Sequence, residues 1–167
     1  MEIKYLKTFQ QNPRSNMSNT FGGNIPMSLE EIQQLEQLWN NGKPFPVVIR
    51  EFLSIAGKHN WLFEGGNPEF IRSLILSDNK RINVPLDRPF IGLYAGLSYP
   101  QFFLVFCDED QVDPDLYELL LYEDDEMDAW GNSDHPGQRL FKTGSKMSEY
   151  INGAVESYRD WQARGLI

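Results

Sequence analysis

The stretch SLEEIQQLEQLWNNGKPFPVVIREFLSIAGK, from Ser28 to Lys58, constrains the fold more than any other part of the chain. Ser28 and Glu31 have the spacing of a capping box, in which the hydroxyl accepts from the backbone three residues on and the carboxylate reaches back. Leu29, Ile32, Leu35 and Leu38 or Trp39 then recur every three to four residues, which predicts one apolar helix face. Asn40-Asn41-Gly42 supplies a left-handed stop. Pro44 and Pro46 forbid continuation and stiffen an elbow. Ile49, Phe52, Leu53 and Ala56 share one face of a second helix that ends at Gly57. Two helices fixed at such an elbow need a third layer to cover their apolar faces.

The rest of the chain supplies candidates for that layer. Residues 1–27 read as an irregular lead-in, with Ile3, Tyr5, Leu6 and Phe9 as a short helix or strand packing on the body, and residues 28–167 read as a single domain. Trp61-Leu62-Phe63 is a short strand candidate. Asn67-Pro68-Glu69 starts a helix, with Asn as cap and Pro at the first helical position, although Ile71 to Leu76 also fits a strand. Asn79 to Arg88 reads as a polar connection. Phe90 to Tyr94, Gln101 to Cys107 and Leu116 to Tyr122 read as strands bounded by Pro, Gly or Asp, and Arg139-Leu140-Phe141 as a short edge strand. A last helix starts near Ser145 or Ser148 and carries Met147, Tyr150, Ile151, Ala154, Val155, Tyr158 and Trp161 at helical spacing. The expected class is α+β: one domain with a central antiparallel sheet flanked by helices.

Charge is distributed unevenly. The chain carries a formal −9, yet no Lys or Arg occurs from Pro89 to Gln138. That interval holds Asp108, Glu109, Asp110, Asp113, Asp115, Glu118, Glu123, Asp124, Asp125, Glu126, Asp128 and Asp134. The other 12 acids face all 15 Lys and Arg, so the remainder of the chain is +3. Such a chain lacks the basic footprint that neutralises phosphates, which argues against direct nucleic acid binding. The acidic connectors follow the second and third strands and are expected together at one end or edge of the sheet. The bland reading of these acids is a solvated surface; the functional one is a docking face for a basic partner. Trp130 is a candidate anchor within it, as an aromatic ringed by charge, or else a core residue. Trp39, Trp61 and Trp161 are assigned to the core or its margin.

Catalytic and metal chemistry find little support in the sequence. Cys107, His59 and His135 are the only residues for a Cys-His pair, and Cys107 ends an apolar strand, where a buried structural thiol is the simpler reading. Asp108-Glu109-Asp110 with Asp113 and Asp115 opens like an oxygen-ligand loop but lacks the glycine and the closing glutamate of an EF-hand. Paired carboxylates occur by chance among so many acids. Neither Gly22-Gly23 nor Gly65-Gly66 opens a phosphate-binding fingerprint. No cofactor, metal or catalytic residue is expected. A cation-dependent enzyme is the weakest alternative. With neither an apolar signal segment near Met1 nor an apolar run long enough to span a bilayer, the expected location is cytoplasmic.

In element order, the residues resemble the SMI1/KNR4 family of the SUKH superfamily. The resemblance rests on Leu35-Glu36 in the first helix, the elbow Phe45-Pro46, and Ile49-Arg50-Glu51-Phe52-Leu53 in the second. It continues through Phe90-Ile91-Gly92, the block Phe103-Leu104-Val105-Phe106 before Asp108, and Met147-Ser148-Glu149-Tyr150-Ile151. Ile49 stands where the family usually has an aromatic. For bacterial members the resemblance implies immunity proteins that bind and neutralise a cognate toxin, often a nuclease; fungal members imply a regulatory or scaffolding role instead. Under the first reading, Asp108, Glu109, Asp110, Asp113, Asp115, Glu123, Asp124, Asp125, Glu126, Asp128 and Trp130 are the candidate partner-binding residues, and the partner is a basic protein.

Overall fold

The computed structural model describes residues 2–13, 23–63, 67–95, 101–122 and 138–165. Within them lie five helices: α1 (Lys7–Gln11), α2 (Leu29–Trp39), α3 (Val47–Ala56), α4 (Pro68–Ile82) and α5 (Met147–Ala163). Four strands, β1 (Phe90–Ala95), β2 (Gln101–Phe106), β3 (Asp115–Leu120) and β4 (Leu140–Lys146), form one antiparallel sheet in sequence order. The chain is a single α+β domain with helices on both sheet faces, as its patterning predicts.

Alternation along the strands assigns the two faces. Ile91, Leu93, Val105 and Leu116 point to the larger core, shared with Phe9, Ile32, Phe52, Leu53 and Ile151 from the other helices. Phe90, Phe102, Leu104, Phe106 and Leu119 point the other way, onto Ile71 and Ile75 of α4. Gly92 lies where α4 comes closest. A Cβ there would stand 2.6 Å from Ile71 Cγ2 and 3.1 Å from Ile75 Cδ1, so only glycine fits this crossing.

The helix signals act as written. Ser28 and Glu31 complete the capping box, and the Asn67 side chain accepts from Phe70 N at 2.8 Å with Pro68 behind it. The α2 stop uses left-handed backbone at Asn41 (φ 54°) and Gly42 (φ 74°). On α2, Ile32 and Leu35 are buried while Leu29 and Leu38 face solvent, so the stripe ends on half-buried Trp39. Between α2 and α3, Glu36 is buried and accepts from Phe45 N at 2.9 Å, beside Arg50 Nε at 3.0 Å. The Asn40 amide donates to the Lys43 and Pro44 carbonyls, 3.0 Å each. The elbow is therefore held by two polar side chains as well as stiffened by proline.

Three expectations change. Residues 61–63 form no strand: Trp61 N donates to Asn24 Oδ1 and Phe63 N to Asn60 Oδ1, so asparagine side chains replace a partner strand while both aromatics stay buried. Ile71 to Leu76 is helical, and α4 runs to Ile82 into the stretch read as a connection. It stops at Asn83 (φ 60°), where the Asn79 side chain bonds both Val84 N and Val84 O at 2.7 Å. Trp161 is 50% exposed rather than packed. The lead-in packs on the body as expected, through a short helix: Ile3, Leu6 and Phe9 are buried, and Phe9 stacks on Phe52 at 5.8 Å. Its anchor is Glu51 of α3, fully buried, whose carboxylate accepts from Lys4 N (2.7 Å), Tyr5 N (2.9 Å) and Leu6 N (2.9 Å).

Candidate functional site

In a meander, successive connections alternate between the two ends of the sheet. The β2–β3 loop, with Asp108 to Asp113, therefore turns at one end. The β3–β4 connection, with Glu123 to Asp128, departs from the other, about 20 Å away for strands of this length. The second acidic segment leaves β3 at that other end, and the expectation that its acids join those of the first falls outside the described residues.

The β2–β3 loop is a junction of helix ends. The first backbone N–H groups of a helix have no partner within it and carry partial positive charge. Val47 N and Val48 N, at the start of α3, donate to the Gln111 and Val112 carbonyls at 3.0 Å each. Met147 N, at the start of α5, donates to Pro114 O at 3.0 Å, while Ser148 donates to Asp113 through its N (3.1 Å) and its Oγ (2.6 Å). Asp110 Oδ1 closes the turn by accepting from Val112 N (2.8 Å) and Asp113 N (3.2 Å).

Cations from beyond the Lys/Arg-free interval fold back onto the same acids. Arg88 grips Asp108 with two hydrogen bonds, Nη2 to Oδ1 at 2.6 Å and Nε to Oδ2 at 3.1 Å. Its Nη1 also reaches Glu109 at 3.1 Å, and its guanidinium lies 4.1 Å from the Phe106 ring centre. Tyr117 O–H donates to Glu109 as well. Lys142 and Lys146 meet Asp115 at 2.6 and 2.8 Å, and Lys146 also approaches Asp110 at 3.5 Å. Hydrogen bonds from Arg88 hold the Asp108 carboxyl below its ordinary range. The backbone N–H groups of Val112 and Asp113 do the same for Asp110, and Lys142 with Lys146 for Asp115. Burial, then the Glu109 contact, pushes the Tyr117 phenol up. All five predicted acids of this loop thus lie together, and each is bound by this chain's own cations, hydroxyls or backbone.

Glu123, Asp124, Asp125, Glu126, Asp128 and Trp130 lie outside the described residues, as does His135. The connection that carries them is fixed at its base, where Leu120 N donates to Arg139 O at 2.8 Å and Arg139 Nη1 donates to Tyr122 O.

The remaining chemistry-bearing side chains serve the fold. Cys107 is buried at the end of β2, and burial pushes its thiol up to about 12. His59 Nδ1 sits 3.1 Å from the Gly23 carbonyl, to which it donates. Among the described residues, no three His, Cys, Asp or Glu side chains are arranged to hold a metal ion. A polar groove of about 300 Å³ between Met27, Glu31, Lys58 and Asn67 contains the Lys58–Glu31 ion pair at 2.7 Å. No described helix is long and apolar enough to cross a membrane.

Sequence reasoning missed Arg88, Lys142 and Lys146, although a signal for them existed. They are among the first cations met on either side of the interval without any, where charge balance would look for partners. Glu118, a lone acid in the apolar run LYELLLY, is one of the twelve acids of that interval but not one of the candidate partner-binding residues.

The fold and this junction define a small α+β domain whose first acidic loop is held by the chain's own cations, hydroxyls and backbone. Compared with known proteins, the chain matches no family model, no curated protein and no solved structure.

Proposed function

We propose that this chain is a non-enzymatic binding protein of the SUKH type that neutralises a basic protein partner, a cognate toxin, through its second acidic segment. One observation carries the reading. The acids of the β2–β3 loop already have partners within the chain, whereas Glu123, Asp124, Asp125, Glu126, Asp128 and Asp134 follow Tyr122 with no Lys or Arg among them. Six negative charges between two adjacent strands would speed encounter with a basic surface and disfavour acidic competitors. On a nuclease they would compete with phosphate for the substrate groove. Trp130 within the same segment offers an aromatic anchor. Asp108 to Asp115 take the supporting role of holding the scaffold.

The test is a growth-protection assay with the toxin domain encoded by the adjacent reading frame. Reversing Asp124, Asp125 and Glu126 together to Lys should weaken protection and remove the salt dependence of binding. Unchanged protection, or an adjacent frame that encodes no secreted toxin, would overturn the proposal.

A further inference from the structure

The sheet carries one acid that the charge network leaves out. Register places Tyr94 of β1, Phe103 of β2, Glu118 of β3 and Phe141 of β4 side by side in a single row across all four strands. Residues in such a row share a face and stand about 5 Å apart. Over this row lie Tyr150 of α5 and Phe63. Phe63 stacks on Tyr150 (5.5 Å, 10°), Tyr150 meets Phe103 (5.2 Å), Phe103 meets Tyr94 (5.7 Å), and Tyr94 meets Phe63 edge-on (6.4 Å, 72°). The four rings close a circuit beside the carboxylate. Glu118, Phe103, Tyr94 and Tyr150 are half-buried, so water reaches the row.

Glu118 is placed against the usual logic of a sheet. A carboxylate between two phenylalanines loses hydration, and a cation normally compensates. Here the neutral Gln101 amide is its hydrogen-bond donor, and among the described residues Glu118 forms no ion pair. Every described acid of the β2–β3 loop, by contrast, meets a cation or a helix start. The Tyr150 phenol, pushed up to about 12 chiefly by burial and then by Tyr94 and Glu118, stays neutral and adds no competing charge. Ring faces with a carboxylate between them match one ligand chemistry: a flat cation that stacks on an aromatic while its N–H groups bond the acid, which describes a guanidinium better than an ammonium. The row also lies toward the sheet end from which the second acidic segment departs, since Glu118 is two residues before the end of β3.

We infer that the Phe103–Glu118–Tyr150 row is the seat for an arginine side chain of the basic partner. This rests on the proposed reading and names the residue class that the partner must present. The acidic segment supplies attraction over distance, and the row supplies the short-range, directional contact that slows release.

The test needs no partner. Acetyl-arginine-N-methylamide is titrated into the full chain and followed by backbone and aromatic-ring NMR shifts, with the neutral isostere acetyl-citrulline-N-methylamide as control. Saturable shifts centred on Gln101, Phe103, Glu118 and Tyr150 with the arginine probe alone are expected. Glu118→Gln, which preserves shape, should weaken binding about tenfold, as loss of a charge-assisted hydrogen bond does. Phe103→Leu, which keeps the acid and removes a ring face, should weaken it about threefold and covers the case in which the first variant fails to fold. Equal binding of citrulline, shifts centred on other acids, or indifference to both variants would overturn the inference. If the triple reversal of Asp124, Asp125 and Glu126 abolishes protection while Glu118→Gln leaves both protection and probe binding unchanged, the row fails and the functional reading stands. If the probe binds as expected but the triple reversal leaves protection intact, the functional reading fails and the cation seat stands.

Discussion

At the scale of single residues, three buried side chains set testable limits. Phe52 is fully buried and stacked on Phe9, so Phe52→Ala should cost about 3 to 5 kcal/mol in denaturant unfolding. Glu51 anchors α1 through three backbone N–H groups. Glu51→Ala should cost about 3 kcal/mol, because buried donors left without an acceptor are expensive, and hydrogen exchange should rise selectively at residues 4–11. Cys107 should resist thiol-reactive dyes in the native protein and react only on unfolding, since its thiol is both buried and held protonated. The core role of Phe52 was legible from helical spacing. That of Glu51 was not, because an acid on an apolar helix face gives no sign that backbone donors forty-five residues away will meet it.

At the scale of elements, the helix caps were legible because they are local: Ser28 with Glu31, and Asn67 with Pro68, need only their neighbours. The strand expected at residues 61–63 failed because apolar residues report burial, and only the hydrogen-bond partners decide whether buried backbone is a strand. The junction of α3, α5 and the β2–β3 loop was invisible for the same reason, since its bonds join residues far apart in sequence. It has a pH signature. The carboxyls of Asp108, Asp110 and Asp115 are held below their ordinary values, so the folded state binds fewer protons than the unfolded one. Their stabilisation is complete above the ordinary carboxylate value of about 4 and is lost as pH falls through the lower folded values. The melting temperature should stay level from pH 7 to 5 and then fall, with a shallower fall in Arg88→Met. These side chains are largely exposed, so the difference will be modest. Across the sheet, Gly92→Ala should cost about 1 to 3 kcal/mol by pushing α4 away, and combining it with Ile71→Ala should cost less than the sum of the two single changes.

At the scale of the whole molecule, the antiparallel meander makes the two acidic segments leave the sheet at opposite ends, the first after β2 and the second after β3. Net charge was legible as a number, but the internal partners of the β2–β3 acids depended on strand order. Under the proposed function, substitutions in the two segments should differ in kind. Arg88→Met at the loop junction should lower the melting temperature and leave the rate of partner association unchanged, whereas charge reversal at Asp124 to Glu126 should slow association and leave melting unchanged. The docking of the amino-terminal segment has a further consequence, for synthesis on the ribosome. Residues 3–9 are made before α5, but their docking is completed by α5, where Asn152 donates to Tyr5 O across 147 positions of sequence. A nascent chain stalled before α5 clears the exit tunnel holds Phe9 and Phe52 under an unfinished roof. The earlier helix α1 must wait for α5, and protection of its peptide bonds from protease should arrive only once α5 has cleared the tunnel.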